Sequence, residues 1–169
     1  MIFKIFIASQ LLLSSLSANT INWRNQTLAG VKFFEGFRAK KYYCCAGVAT
    51  IGYGCTKPSV VAEGSITKQR AAEILQEEFD LIKNKVIKEV KVELNKHQLY
   101  ALTSFAFNCG MTNLRTLING KGRLNSGNYK SVEEILPLYR MAGGKIKEGL
   151  VKRRAWELAI WKGEVIKLD

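Results

Sequence analysis

The sequence predicts an α+β fold in which a small β-hairpin lobe is joined by a long helix to a C-terminal helical lobe. Three observations lead to this prediction. Glycines and alternating apolar residues mark the stretch from Tyr42 to Thr56, as is typical of a short antiparallel hairpin. One amphipathic pattern then runs without a break from Thr67 to about Val90. Beyond it, apolar residues keep helical spacing as far as Trp161.

The first helix is predicted to begin near Asn25, because Leu28, Val31 and Phe34 form one apolar stripe. Glu35 stands at the C-terminal end of this helix. The helix dipole favours cations at that end. A carboxylate there is therefore either tolerated or kept for chemistry.

The long helix has clear boundaries. Pro58 and Gly64 bracket a predicted loop before it, and Thr67 is placed to cap its first turn. Its apolar positions predict one buried stripe, made of Ala71, Ile74, Leu75, Phe79, Ile82 and Val86.

The C-terminal lobe is predicted to be helical throughout. Its expected helical segments are Lys96–Asn108, a turn or short helix at Leu114–Ile118, a segment that opens at Ser131, and Val151–Trp161. Gly110 ends the first helix, and Pro137 bends or ends the third. Gly143 and Gly144 break the chain before the last one.

Composition narrows the class of protein. A chain of 169 residues with 47% apolar content can bury the core of one compact domain. Its two aspartates, Asp80 and Asp169, and its single histidine, His97, leave almost nothing for a Ser–His–Asp triad or a histidine-rich metal site.

The net charge of +12 points to a polyanionic partner, such as nucleic acid, an anionic membrane or an acidic cell wall. The cationic residues are spread along the chain, and their local clusters are interpreted as solvated helix faces. These clusters are Lys83, Lys85 and Lys88, and then Lys145, Lys147, Lys152, Arg153 and Arg154.

Residues 1–18 have the layout of an export segment, with a lysine near the start, an apolar run and small residues at the end. The run is short and diluted by polar residues, so it is either a cleavable signal peptide or a weak membrane anchor. We therefore expect a secreted or periplasmic protein whose folded domain is residues 19–169. Its four cysteines are Cys44, Cys45, Cys55 and Cys109, and their spacing leaves the disulfide pairing open.

Glu35 is the candidate general acid. Protonating a poor oxygen leaving group needs a carboxylic acid in partly apolar surroundings, and Phe33, Phe34 and Phe37 flank this one. Glycoside hydrolysis normally uses a second carboxylate. No aspartate occurs between Glu35 and Asp80. The hairpin offers in its place two thiols, Thr50 and tyrosines.

These residues stand in a series of motifs that resembles the phage-type lysozymes, glycoside hydrolase family 24. The family pattern E-G-x-R, Y-x-D, G-V-x-T-I-G-Y-G-H-T is matched at residues 35–38, 42–44 and 47–56. Later family motifs S-F-x-F-N-x-G, A-G-G-K and G-L-x-x-R-R are matched at 104–110, 142–145 and 149–154. The resemblance covers nearly everything after residue 24.

The resemblance implies an α+β lysozyme fold and hydrolysis of the β-1,4 bond between N-acetylmuramic acid and N-acetylglucosamine in peptidoglycan. It implies Glu35 as the acid, Cys44 in the position of the aspartate that assists water, and Thr50 as the residue that holds the water. Tyr43, Gly52 and Asn108 are the substrate contacts expected from the same motifs. No metal, cofactor or nucleic acid is implied, and we expect a monomer.

Cys44 departs from the family's aspartate, and two interpretations follow. Some secreted endolysins resemble this chain in having cysteine here, which would make Cys44 catalytic and open to control by oxidation. Alternatively, the site is degenerate and the protein is a cationic wall-binding module. Either inversion through a water or a covalent thiolate adduct remains compatible with the sequence. Cys55 replaces the histidine of G-Y-G-H, where we expect the change to be tolerated.

Overall fold

The computed structural model of the chain describes residues 21–44 and 47–168. The predicted export segment, residues 1–18, lies outside the described residues. The first helix, α1, spans Trp23–Glu35 and is capped by the Asn22 side chain, which accepts a hydrogen bond from the Asn25 N–H at 3.0 Å. Its inward face includes Leu28 and Val31, as the apolar stripe predicts.

The predicted hairpin is confirmed, and it begins earlier than expected. Strand β1 (Arg38–Tyr43) pairs antiparallel with β2 (Ala49–Gly52), and Thr50 lies opposite Tyr42. The register shifts between Arg38 and Tyr42. Most of β1 is exposed, so its side chains carry no alternation of apolar and polar residues that would reveal a strand.

The predicted loop between Pro58 and Gly64 contains a short helix, α2 (Pro58–Val61), so that prediction was wrong in part. Proline at the first helical position has the φ angle a helix needs and loses no hydrogen bond there. Val60 and Val61 are buried by this turn and add to the core of the small lobe.

The long helix is confirmed as α3 (Lys68–Glu89). The Thr67 hydroxyl oxygen accepts a hydrogen bond from the Arg70 N–H at 3.1 Å, which caps the first turn as predicted. The predicted stripe is buried apart from Ile82, which is half-buried.

Helix α4 (Lys96–Ile118) contains both of the predicted helices that precede residue 119. Gly110 has φ 80° and ψ 163°, which breaks the helical geometry and kinks the element at the predicted place. Asn95 and Gln98 form a reciprocal capping box at its start.

The rest of the C-terminal lobe is built from short elements and one long helix. Helix α5 (Lys130–Ile135) runs into a 3₁₀ turn that contains Pro137. The Gly143–Gly144 break is a two-residue hairpin turn between β3 (Met141–Ala142) and β4 (Lys145–Ile146). Helix α6 (Glu148–Trp161) begins three residues before its predicted start.

The lobes are assembled from non-consecutive parts of the chain. Helix α1 packs on α4 and α6, so the N-terminal helix belongs to the C-terminal lobe. The β1–β2 hairpin packs on α2 and α3 to form the small lobe, and α3 continues against α4. None of the helices within residues 21–44 and 47–168 combines the length and apolar content needed to span a membrane.

Candidate active site

The carboxylate of Glu35 is fixed by a residue from the far end of the chain. Arg153, on α6, donates a hydrogen bond from Nη1 to Glu35 Oε1 at 2.7 Å. The Glu35 side chain is 22% exposed and that of Arg153 is 4% exposed. One carboxylate oxygen is therefore engaged with a buried guanidinium, while the residue still reaches the surface.

The other oxygen of Glu35 faces the hairpin. A Cβ atom placed on Gly54 would lie 3.4 Å from Glu35 Oε2. Gly54 also has φ 89°, a conformation that favours glycine. The turn after β2 therefore passes close to the carboxylate, and Oε2 is the oxygen left on the hairpin side.

The Glu35 side chain lines a cleft of about 400 Å³ that lies between the hairpin, α3 and α4. Its walls come from all three elements: Glu35, Tyr53, Gly54, Glu78, Leu81, Ile82, Lys85, Phe107 and Asn108. Glu35 and Asn108, both expected site residues, thus line one cleft. Cys44, Thr50, Tyr43 and Gly52 are not among the described residues that line it.

Asn108 is held in a defined orientation. Its Oδ1 accepts a hydrogen bond from Arg154 Nη2 at 2.9 Å. With that oxygen engaged, the NH₂ group of the amide is the donor available to a ligand in the cleft.

The expected water-handling residues lie on the hairpin. Thr50 is buried, and its hydroxyl donates to the Val48 carbonyl at 2.9 Å, so its oxygen can only accept a further bond. Cys44 follows β1 and is half-buried, and its N–H donates to the same carbonyl at 3.0 Å. Because Thr50 lies opposite Tyr42, Cys44 and Thr50 sit near the same end of the hairpin.

The other two expected contacts differ in exposure. Tyr43 is 68% exposed at the end of β1. Gly52 is buried, and a Cβ atom there would lie 3.0 Å from the Cβ of Ala71. Gly52 thus lets β2 approach α3 closely, and only its backbone is available to a ligand.

Arg153 and Arg154 are buried, so their interpretation as part of a solvated helix face was wrong. Both pair with Glu157, which is fully buried on the same helix. Burial raises the pKa of the Glu157 carboxyl, and the two guanidinium groups beside it oppose that rise. The G-L-x-x-R-R motif marks these arginines and not the exposed Lys152 next to them, but it does not indicate that they are buried.

Sequence reasoning also missed Glu78, a second carboxylate in the cleft. Lys57 Nζ lies 3.4 Å from Glu78 Oε1, and the Cys55 thiol donates to the same oxygen at 3.6 Å. The stripe on α3 marks the neighbouring Phe79 as core. The stripe does not indicate that the Glu78 side chain lines the same cleft as Glu35.

Cys55 and Cys109 are free thiols. Burial raises the pKa of the Cys55 thiol and that of the Cys109 thiol, and in Cys109 the Arg154 guanidinium opposes the rise. Because the thiolate is the reactive form, these environments do not favour either residue for thiol exchange. Cys45, the remaining cysteine, lies outside the described residues.

Comparison with known proteins agrees with this architecture. Residues 32–157 match the family described as Phage lysozyme. The chain is 33% identical over 135 residues to an endolysin of Bacillus phage B103, covering 78% of this chain and 50% of the relative. The chain thus spans about half the length of that relative.

Two further matches cover most of both chains. A SAR-endolysin of Bacteriophage PS119 is 30% identical over 129 residues, which is 75% of this chain and 77% of the relative. The crystal structure of a P22 lysozyme mutant superposes with a TM-score of 0.68 and 31% identity, covering 80% of this chain and 94% of that one. The family match spans well over half of the sequence. The chain belongs to the phage lysozyme family.

Proposed function

We propose that this protein is a lysozyme that cleaves the β-1,4 bond between N-acetylmuramic acid and N-acetylglucosamine in peptidoglycan. The observation that carries the proposal is Glu35. One of its oxygens is fixed by Arg153, and the other lies on the hairpin side of a cleft of about 400 Å³. Arg153 thereby orients the carboxyl group, and Oε2 is the oxygen placed to carry the transferred proton.

In the proposed reaction, protonated Glu35 gives its proton to the glycosidic oxygen as the bond from that oxygen to the anomeric carbon breaks. A water molecule adds to the anomeric carbon and gives up a proton to the Cys44 thiolate. Thr50 supports this step, because its hydroxyl proton is already engaged with Val48 and its oxygen accepts a bond from the water. The products are two shorter glycans, with inverted configuration at the cleaved carbon.

Three residues are proposed to contact the glycan. Tyr43 presents an exposed aromatic ring at the end of β1, Asn108 offers its NH₂ group, and Gly52 contributes only its backbone. The net charge of +12 holds the protein, acting as a monomer, near the anionic wall.

We further propose that the protein is exported and acts outside the cytoplasm. The amino-terminal segment, residues 1–18, would serve as signal peptide or transient membrane anchor for the domain at 19–169. The apolar run in that segment and the SAR-endolysin among the relatives support this proposal.

The deciding experiment compares Glu35→Gln with wild type in a turbidity assay on peptidoglycan suspensions. Removing the proton donor should abolish clearing. Glu77→Gln is the matched control, because Glu77 is an exposed carboxylate on α3. If Glu35→Gln clears walls as well as wild type, clearing does not use Glu35 as proton donor and the hydrolase proposal is rejected. A wild type that binds the wall without clearing it would instead indicate a charge-driven wall-binding protein.

The role of Cys44 is tested with Cys44→Asp and Cys44→Ser, with and without reductant. Aspartate should support activity that no longer depends on reductant, and serine should lower the rate at least tenfold. The anomer formed first, read by NMR, distinguishes direct attack by water from a covalent adduct. Full activity in Cys44→Ser would remove Cys44 from the mechanism.

A further inference from the structure

We propose that Glu157, which lies behind the cleft, is a positioning residue. Through Arg153 and Arg154 it holds in place both the acid, Glu35, and the cleft residue Asn108 on α4. This inference rests on the function proposed for the cleft. It assigns a role to a fully buried carboxylate that the reaction itself does not use.

One branch of the network leads from Glu157 to the acid. Arg153 Nε donates to Glu157 Oε1 at 3.3 Å, while Nη1 of the same guanidinium donates to Glu35 Oε1 at 2.7 Å. A guanidinium is planar, so fixing one edge of it sets the direction of the other. Glu157 therefore determines where Arg153 holds the Glu35 carboxylate.

A second branch leads from Glu157 to Asn108, on the α4 side of the cleft. Arg154 lies 2.8 Å from Glu157 Oε2 through its Nε, and its Nη2 lies 3.0 Å from Glu157 Oε1. That same Nη2 donates to Asn108 Oδ1 at 2.9 Å. One carboxylate thus reaches residues on α1 and on α4, and the buried Ser104 hydroxyl also donates to its Oε1 at 2.7 Å.

The charges in this cluster balance, since two guanidinium groups face the two carboxylates of Glu35 and Glu157. A buried ion pair is costly when one partner is missing. Without Glu157, both arginines would be left with Glu35 as the one carboxylate recorded within salt-bridge distance of either. Arg154 would lose its carboxylate partner, and Arg153 would no longer be held on the side away from Glu35.

The test uses Glu157→Asp and Glu157→Gln. Aspartate keeps the charge but is one methylene shorter, so it remains informative if the glutamine variant does not fold. We expect kcat on soluble peptidoglycan strands to fall ten- to a hundredfold, the size of effect that a small misplacement of a reacting group produces. KM should rise by a smaller factor than kcat falls, because Asn108 is one of three proposed glycan contacts. Val132→Ala, a buried change on α5, controls for loss of stability alone.

A second readout needs no activity. In wild type, the guanidinium NMR signals of Arg153 should be resolved by restricted rotation, and in the Glu157 variants they should average. A kcat within twofold of the Val132→Ala control, or an Arg153 that stays immobile in both variants, would overturn the inference. If wild type cleaves no glycan, the proposed function fails, while the NMR result still decides whether Glu157 holds Arg153.

Discussion

Replacing Gly30 by alanine should destabilise the protein, although alanine is the better helix former. Gly30 lies inside α1, against the buried ring of Trp156 on α6. A Cβ atom at Gly30 would lie 1.9 Å from Cζ2 of Trp156 and within 2.6 Å of two more ring atoms. Because the obstacle is a rigid indole, α1 and α6 must move apart.

The magnitude follows from two opposed effects. Forcing a methyl group into a packed core costs about 1–3 kcal/mol, and three overlapping ring atoms place this site at the upper end. The gain in helix propensity returns about 1 kcal/mol. The net loss should be about 2 kcal/mol, which lowers Tm by about 4–8 °C for a chain of this size. Separating α1 from α6 should also pull Glu35 from Arg153 and reduce activity.

Thermal unfolding followed by circular dichroism tests this prediction. Gly149→Ala is the matched control, since a Cβ there meets no atom within 4 Å. It should be neutral or slightly stabilising. Trp156→Phe, with its smaller ring, should recover part of the stability lost in Gly30→Ala. A Gly30→Ala protein at least as stable as wild type would refute the packing argument.

Two smaller predictions concern ion pairing and capping. Hydrogen bonding from Arg24, and then from Lys83, lowers the pKa of Asp80. The ion pairs of Asp80 therefore stabilise the fold fully at pH values above its unfolded-state pKa, which is near 4. This stabilisation is lost as the pH falls through the lowered folded-state pKa. Asp80 is 36% exposed, so Asp80→Asn should lower the free energy of unfolding, measured with urea, by on the order of 0.5–1 kcal/mol at pH 7. The difference should shrink as the pH falls through the lowered folded-state pKa, and a pH-independent difference would contradict this. Asn95→Ala should cost about 1 kcal/mol and Asn95→Ser much less, by urea midpoint, and equal losses would exclude a capping role.

The features that could be predicted from sequence are those fixed by nearby residues. Thr67 marks the start of α3, and the apolar stripe after it marks the buried face, because capping and helical spacing act within a few residues. The break at Gly110 could also be predicted from sequence, because a positive φ angle is a local property that favours glycine. The predicted hairpin began at Tyr42, after the observed start of β1 at Arg38, because the exposed residues of β1 show no alternation of apolar and polar side chains.

The burial and pairing of the charged residues in the site could not be predicted in the same way. Arg153 shares its local surroundings with the exposed Lys152, and what separates them is Glu35, 118 residues earlier in the chain. Glu78 shows the same difficulty, since its position in the cleft depends on how the hairpin docks on α3. The family motifs located Glu35, Asn108 and the two arginines but did not indicate that Arg153 and Arg154 are buried against Glu157.

The packing of α1 on α4 and α6 has a consequence for the order in which the protein is completed. The chain is synthesised from the N-terminal end, and domains generally fold as units. Glu35 is synthesised 118 residues before its guanidinium partner Arg153, which belongs to α6. A nascent or truncated chain that stops before Arg153 carries the acid without the group that aims it, and α1 without one of the surfaces that bury it. The acid is therefore fully positioned only after α6 has been synthesised.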